Sequence, residues 1–187
     1  MTRRRLLILI LVGLAAGVLP FYWATRWRYI VIHHSGGSSG DLELLRRVHR
    51  ERQARDPIDE IPYHFVIGNG KGMPLGEIAE TGRWRRRLWG AHMSVRNTDR
   101  NLRGIGICLI GDFETGPVPE AQFQAALTLT RQLMARFRIP RENVTFHGGT
   151  PGEMTLCPGR NFPRDRFLRA LADGEQISLS GRPPAAS

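Results

Sequence analysis

The sequence predicts an α/β fold in which a mixed central β-sheet is flanked by helices, preceded by an N-terminal hydrophobic signal or anchor helix. Short β-branched or apolar runs alternate with longer stretches of helical periodicity, the pattern of a sheet covered on its faces by helices. One pair of runs is joined through an Asn-Gly turn, which adds an antiparallel hairpin partner. A chain of 187 residues is long enough for one domain with a proper core and too short for two comfortable ones.

At the N-terminus, "MTRRR" precedes an apolar stretch from Leu6 to Leu19 that continues past Pro20 to Ala24, and arginines ahead of such a stretch mark an export signal. As a helix, Leu6 to Ala24 would span roughly 28 Å, about one hydrocarbon core, whereas the part before Pro20 would reach about 21 Å. "AAG" at Ala15 to Gly17 offers a cleavage site, while Phe21, Tyr22 and Trp23 followed by Arg26 make an interfacial belt. Anchor and cleavable signal both stand, the anchor being preferred with its positive end inside. Residues 1–26 are assigned to this segment.

"RYIVIHHS" reads as a buried strand from Tyr29 to about His33. Ser38, Ser39 and Asp41 offer an N-cap to a first helix carrying Leu42, Leu45 and Val48 on one face and stopping at Pro57. "YHFVIGNGKG" is a strand running into the Asn-Gly turn, with "EIAETGRW" as its partner. "GIGICLIGDF", Gly104 to Phe113, is the most apolar strand and is placed at the centre of the sheet. Between Pro119 and Arg138, Phe123, Ala126, Leu127, Thr130, Met134 and Phe137 fall on one helical face. Pro140 ends that helix, and "NVTFH" is a short strand delivering His147. A last helix from Arg164 to about Ala172 closes a domain over 27–173, leaving a tail over 174–187 expected to be disordered.

The formal charge of +10 favours anionic partners. The arginines are spread along the chain and no helix-turn-helix, zinc-finger or RNA-binding signature accompanies them, so nucleic acid is set aside in favour of envelope polymers or membranes. "GRWRRRLWG" interleaves Arg with Trp. Arg83 and Trp84 are therefore candidates to grip carboxylates and sugar faces, against a plainer reading as a solvated basic loop. The two cysteines, Cys108 and Cys157, provide no disulfide framework. Cys108 sits in an apolar run and reads as core.

Two strands end in histidine, and in α/β sheets functional sites gather at the carboxyl ends of strands. His147 shares the loop "HGGTPGEMTLCPG" with Cys157, whose Gly and Pro residues let it fold back. A third donor from His33 completes a His2Cys set with an open fourth position, the arrangement of a catalytic zinc. His34 competes with His33 for that place, because adjacent strand residues point to opposite faces. His92 reads as a cleft residue or a packed one, His64 as packed beneath its strand, and His49 as a packed or surface residue of the first helix.

"VIHHS" at Val31 to Ser35, "YHFVI" at Tyr63 to Ile67, "GAH" at Gly90 to His92, "IGICLIGDF" at Ile105 to Phe113 and "TLCPG" at Thr155 to Gly159 occur in one order. In that order, over about Tyr29 to Leu171, the chain resembles the zinc-dependent N-acetylmuramoyl-L-alanine amidases of type 2, the family that includes bacteriophage lysozyme-like amidases and peptidoglycan recognition proteins. The resemblance implies Zn2+ held by His33, His147 and Cys157, with His33 rather than His34 as the strand ligand. It implies hydrolysis of the amide between N-acetylmuramic acid and L-alanine, with Tyr63 as the catalytic tyrosine. Thr155 stands two before the cysteine, where relatives carry Lys or Thr. Both hydroxyls suit a developing oxyanion. Thr155 cannot serve as a general base, and Glu153 is a candidate to protonate the leaving amine. His34, His92, Arg83 and Trp84 are the expected substrate contacts. The implied partners are peptidoglycan or muropeptides, met by a monomer held at the membrane with its catalytic domain outside the cytoplasm, or in the periplasm or secreted if the signal is cleaved. The alternative is a non-catalytic peptidoglycan-binding module of the same fold; such relatives typically lose the cysteine. The loop from His147 to Cys157 is slightly longer than is usual in the family, which affects the expected pocket rim.

Overall fold

Alternation along the first strand decides where the site lies. In the computed structural model, which describes residues 4–5, 26–53, 58 and 60–180 and the side chains of the last helix as far as Asp173, β1 spans Tyr29–His34. Its Ile30 and Ile32 face a large apolar core, and the period of two turns Val31 and His33 to the other side. The remaining strands are β2 (Phe65–Ile67), β3 (Ile78–Glu80), β4 (Gly104–Leu109) and β5 (Val144–Phe146), joined in one sheet in the order β3-β2-β4-β1-β5. β1 runs parallel to β4 and β5, β2 runs parallel to β4, and β3 is the antiparallel edge. All six residues of β4 are buried, as expected of a central strand covered on both faces.

Helices cover the two faces unequally. On the large-core side, α4 (Glu120–Phe137) and α5 (Arg164–Ser180) pack Phe123, Leu127, Phe167 and Leu171 against Ile30, Ile32, Ile105 and Ile107. On the other side lies a smaller cluster of Leu45, Ile61, Tyr63, Val66, Cys108 and Ile110, with Leu45 supplied by α1 (Leu42–Arg52). Asp41 caps α1, its Oδ1 accepting from the Leu44 N–H at 2.8 Å. His33 pairs in register with Cys108, so its ring enters the thinner side of the sheet.

Short elements not foreseen in the sequence complete the fold: α2 (Gly82–Arg85) and α3 (Thr98–Arg103), the latter preceded by a 3-10 turn over Val95–Asn97. The β2 to β3 connection covers residues 68–77 rather than a tight Asn-Gly turn. Gly68 closes it by donating to Glu77 O, and its missing Cβ would lie 2.2 Å from Pro74 O. α5 runs on to Ser180, past the end expected near Ala172 and into the span assigned to the tail.

Arg26, assigned in the sequence to the N-terminal segment, packs against the domain. Arg26 is buried, its guanidinium donating to the carbonyls of Leu102, Arg87 and Leu88 at 3.0, 2.8 and 2.7 Å and stacking over Trp27. The anchor expected over Leu6 to Ala24 lies outside the described residues, as does the helix stop at Pro57. Among the described residues no helix is long and apolar enough to cross a membrane.

Candidate metal centre and cleft

Three donors from distant parts of the chain meet beside β1. The ligand atoms of His33, His147 and Cys157 all lie within 4.8 Å of one another, with Cys157 Sγ 3.9 Å from His33 Nδ1. β1 delivers His33. The end of β5 delivers His147, whose N–H extends the β1 pairing by donating to Ile32 O. The loop then turns back, and Gly148 donates to Cys157 O; a Cβ at Gly148 would lie 2.1 Å from Thr155 O, so the close approach requires glycine.

The groups around the donors fix their roles. His33 Nε2 lies 3.1 Å from His92 Nδ1, and His147 Nε2 lies 3.0 Å from Glu153 Oε2, so each ring has one nitrogen engaged outside the cluster. Burial, with His92 and His147 nearby, holds His33 well below the usual imidazole range and keeps it neutral, with a lone pair to offer. Burial pushes the Cys157 thiol up to about 12, although the His34 N–H donates to its sulfur at 3.3 Å. A cation is what would draw that thiol to thiolate. Two imidazoles and a thiol form a borderline-to-soft set that fits zinc, with no carboxylate in the cluster to favour a harder ion.

A cleft of about 520 Å³ runs alongside, lined among others by His92, Ser94, Arg96, His147, Glu153 and Thr155. Thr155 Oγ1 accepts from the Cys157 N–H at 3.1 Å, which leaves its own proton free to donate. Tyr63 sits deeper, its ring 5.0 Å from that of His33. Burial, then the Cys108 and Cys157 sulfurs, push its phenol well above the ordinary value, so it stays a donor.

Of the expected substrate contacts, Arg83, Trp84 and His34 are not brought to this cleft. Arg83 is fully buried, donating to Ile61 O at 2.8 Å and Trp89 O at 2.7 Å, and is a structural tie rather than a substrate grip. Trp84 packs on the core with its ring 4.6 Å from Phe65 and 5.8 Å from Trp27. The basic run forms α2 because these two side chains are drawn inward. His34 points to the other side of β1, where its Nδ1 accepts from the Phe113 N–H at 3.2 Å and lies 4.0 Å from Asp112. His92 lines the cleft and also backs His33. His64 is packed: Nδ1 accepts from Gly106 N–H and Nε2 donates to Leu88 O. His49 stacks edge-on against Tyr63 at 5.4 Å.

Glu153 changes role. Its carboxylate accepts from Ser94 N and Oγ, from Asn97 Nδ2 and from His147. Burial alone would raise its pKa, but these donors outweigh burial and hold it below the usual carboxylate range. An ionised, fully engaged carboxylate is a poor proton source for a leaving amine. The "GRWRRRLWG" spacing could not reveal the burial of Arg83, and the Glu153 network depends on a loop more than fifty residues away. The support of His33 by His92 was missed as well: Gly90 and Gly106 make room for the His92 ring, which a Cβ would approach to 2.3 or 2.6 Å, but that close approach exists only in the folded chain.

The family model described as N-acetylmuramoyl-L-alanine amidase matches residues 23–160. A peptidoglycan-recognition protein of Drosophila simulans is 32% identical over 141 residues, covering 72% of this chain and 69% of the relative. The 1,6-anhydro-N-acetylmuramyl-L-alanine amidase AmpD of Enterobacter cloacae is 28% identical over 107 residues, 56% of this chain and 57% of that protein. Among solved structures, N-acetylmuramoyl-L-alanine amidase LysC from Clostridium intestinale superposes with a TM-score of 0.65 at 26% identity, over 80% of this chain and 88% of the other. Drosophila peptidoglycan recognition protein SA gives a TM-score of 0.55 at 27% identity, over 75% and 78%.

Proposed function

Because the chain belongs to the N-acetylmuramoyl-L-alanine amidase family, we propose that it is a zinc-dependent hydrolase that cuts the amide bond between N-acetylmuramic acid and L-alanine in peptidoglycan. The observation that carries this reading is the convergence of His33, His147 and Cys157 beside an open cleft. Zinc, when bound there, supplies Lewis acidity and water activated near neutral pH. The chain does the rest. The lactyl amide lies in the cleft with its carbonyl oxygen toward Thr155, whose hydroxyl donates a hydrogen bond as negative charge develops on it, and Tyr63, deeper beside His33, becomes the second donor when its hydroxyl turns from Cys108. His92 behind His33 and Glu153 behind His147 keep the two imidazole lone pairs aimed at one point.

A second reading, a binding module that holds muropeptides without cutting them, draws on the likeness to recognition proteins. The two readings differ in one assay. Full-length protein supplied with zinc is incubated with muropeptides beside a Cys157→Ser variant, and the products are weighed by mass spectrometry. Free stem peptide from the wild type alone supports the hydrolase; muropeptide retained intact by both supports the binding module.

We also propose that residues 1–25 hold the protein at the membrane with its catalytic domain outside the cytoplasm, which limits cleavage to nearby wall strands or released fragments. The apolar length and aromatic belt of that segment support this. Fractionation of expressing cells tests it, since soluble product starting near Val18 or Thr25 would mean a cleaved signal.

A further inference from the structure

His147 sits in a turn just beyond β5, its N–H donating to Ile32 O and its carbonyl accepting from the Thr150 N–H, so the backbone does not set which ring nitrogen faces the cluster. A half-turn of an imidazole exchanges Nδ1 and Nε2, and with them the lone pair and the N–H. Only what faces the ring decides which nitrogen is available to a metal.

Glu153 faces it. The side chain of Glu153 is only 4% exposed, and its Oε2 lies 3.0 Å from His147 Nε2. The other oxygen, Oε1, accepts from Ser94 N at 3.1 Å, Ser94 Oγ at 2.8 Å and Asn97 Nδ2 at 2.7 Å. Asn97 is held in turn, its Nδ2 also donating to Pro151 O at 3.0 Å. Oε1 is thus held by donors from the turn ahead of α3, and Oε2 is left to face His147. Ser94 and Glu153 both line the cleft, so the same contacts join its two walls.

We propose that Glu153 is a positioning residue that holds His147 as the Nε2–H tautomer, leaving Nδ1 to the cluster with His33 and Cys157, and that it ties this orientation to the Ser94–Asn97 wall of the cleft. The metal part of this proposal rests on the zinc reading above; the orientation of His147 rests on the contacts alone.

The test uses full-length protein, stripped of metal and labelled with 15N-histidine, at one fixed pH. NMR of the ring nitrogens reports the His147 tautomer, and competition with a chromophoric chelator reports zinc affinity. The wild type is expected to show Nε2–H. In Glu153→Gln, the carbonyl oxygen serves Ser94 and Asn97 while the amide NH2 turns to His147, which favours the opposite tautomer. Glu153→Ala removes the partner and mixes the two. Each variant is expected to bind zinc roughly 10- to 100-fold more weakly, the usual effect of losing a residue behind a metal ligand, and the Gln variant stays informative if the Ala variant fails to fold. Unchanged zinc affinity, or a loss with the tautomer unchanged, overturns the proposal. A wild type that takes up no zinc sinks the hydrolase reading instead, and the tautomers alone then decide the role of Glu153.

Discussion

His33 Nε2 lies 3.1 Å from His92 Nδ1, and the space around His92 is closed by two glycines. A Cβ at Gly106 would lie 2.6 Å from the His92 ring, on a central strand that cannot shift away. Gly106→Ala is therefore expected to destabilise the metal-free protein by about 1–3 kcal/mol through overpacking. It should also weaken zinc binding, because His33 loses its orienting neighbour. Urea unfolding and chelator competition check both; zinc affinity equal to wild type would show that His92 does not support His33.

Tyr63 and His64 are adjacent in sequence and opposite in role. Tyr63→Phe should keep its zinc and lose turnover by roughly ten- to a thousandfold, as for a missing oxyanion donor. His64→Ala leaves the Gly106 N–H and the Leu88 carbonyl without their ring partner, at a cost of about 1–3 kcal/mol, while the folded fraction retains its turnover. Steady-state kinetics normalised to folded protein separates the two, and unchanged turnover in Tyr63→Phe would remove that residue from the reaction.

Acid should unfold the metal-free protein early. Burial holds His64 at about 3 and His49 at about 4, and drives His33 and His92 well below the ordinary range. In the unfolded chain these rings titrate near 6.5. Below that pH the unfolded chain binds more protons than the folded one, so stability falls as pH drops from about 7 towards 4 and rises again with base. The depressed carboxylate of Glu153 adds in the same sense at lower pH. Urea midpoints at pH 7.5 and 5 measure this, and a flat profile would contradict burial of these rings as neutral bases.

Much of this arrangement is readable in the sequence because it rests on local pattern. A β-branched apolar run marks β1, the most apolar run marks β4, helical spacing marks α4, and strand-end histidines with a loop cysteine mark the cluster that the fold brings together. What is not readable depends on long-range partners. Arg83 and Trp84 look like a solvated basic face until the carbonyls of Ile61 and Trp89 and the Phe65 ring are in place around them. Glu153 looks like a free acid near the chemistry until Ser94 and Asn97 close on it.

The domain boundary gives a further prediction. A chain starting at residue 26 keeps the three carbonyl contacts of Arg26, whereas one starting at residue 28 loses these and the buried Trp27 ring. The longer fragment should unfold like the full-length domain. The shorter one should be less stable by about 3 kcal/mol or more, the scale of deleting a buried aromatic. Equal thermal midpoints would contradict a structural role for both residues.

Digestion of muropeptides in 18O-labelled water by the zinc-supplied full-length protein tests the central claim most directly. Amide hydrolysis predicts two products: a stem peptide with a free L-alanine amine and no label, and a muramic acid whose lactyl carboxylate carries one 18O. The label should not appear with Cys157→Ser. Intact muropeptide recovered from a zinc-loaded wild type, or label incorporated at a bond within the stem peptide, would contradict the assignment.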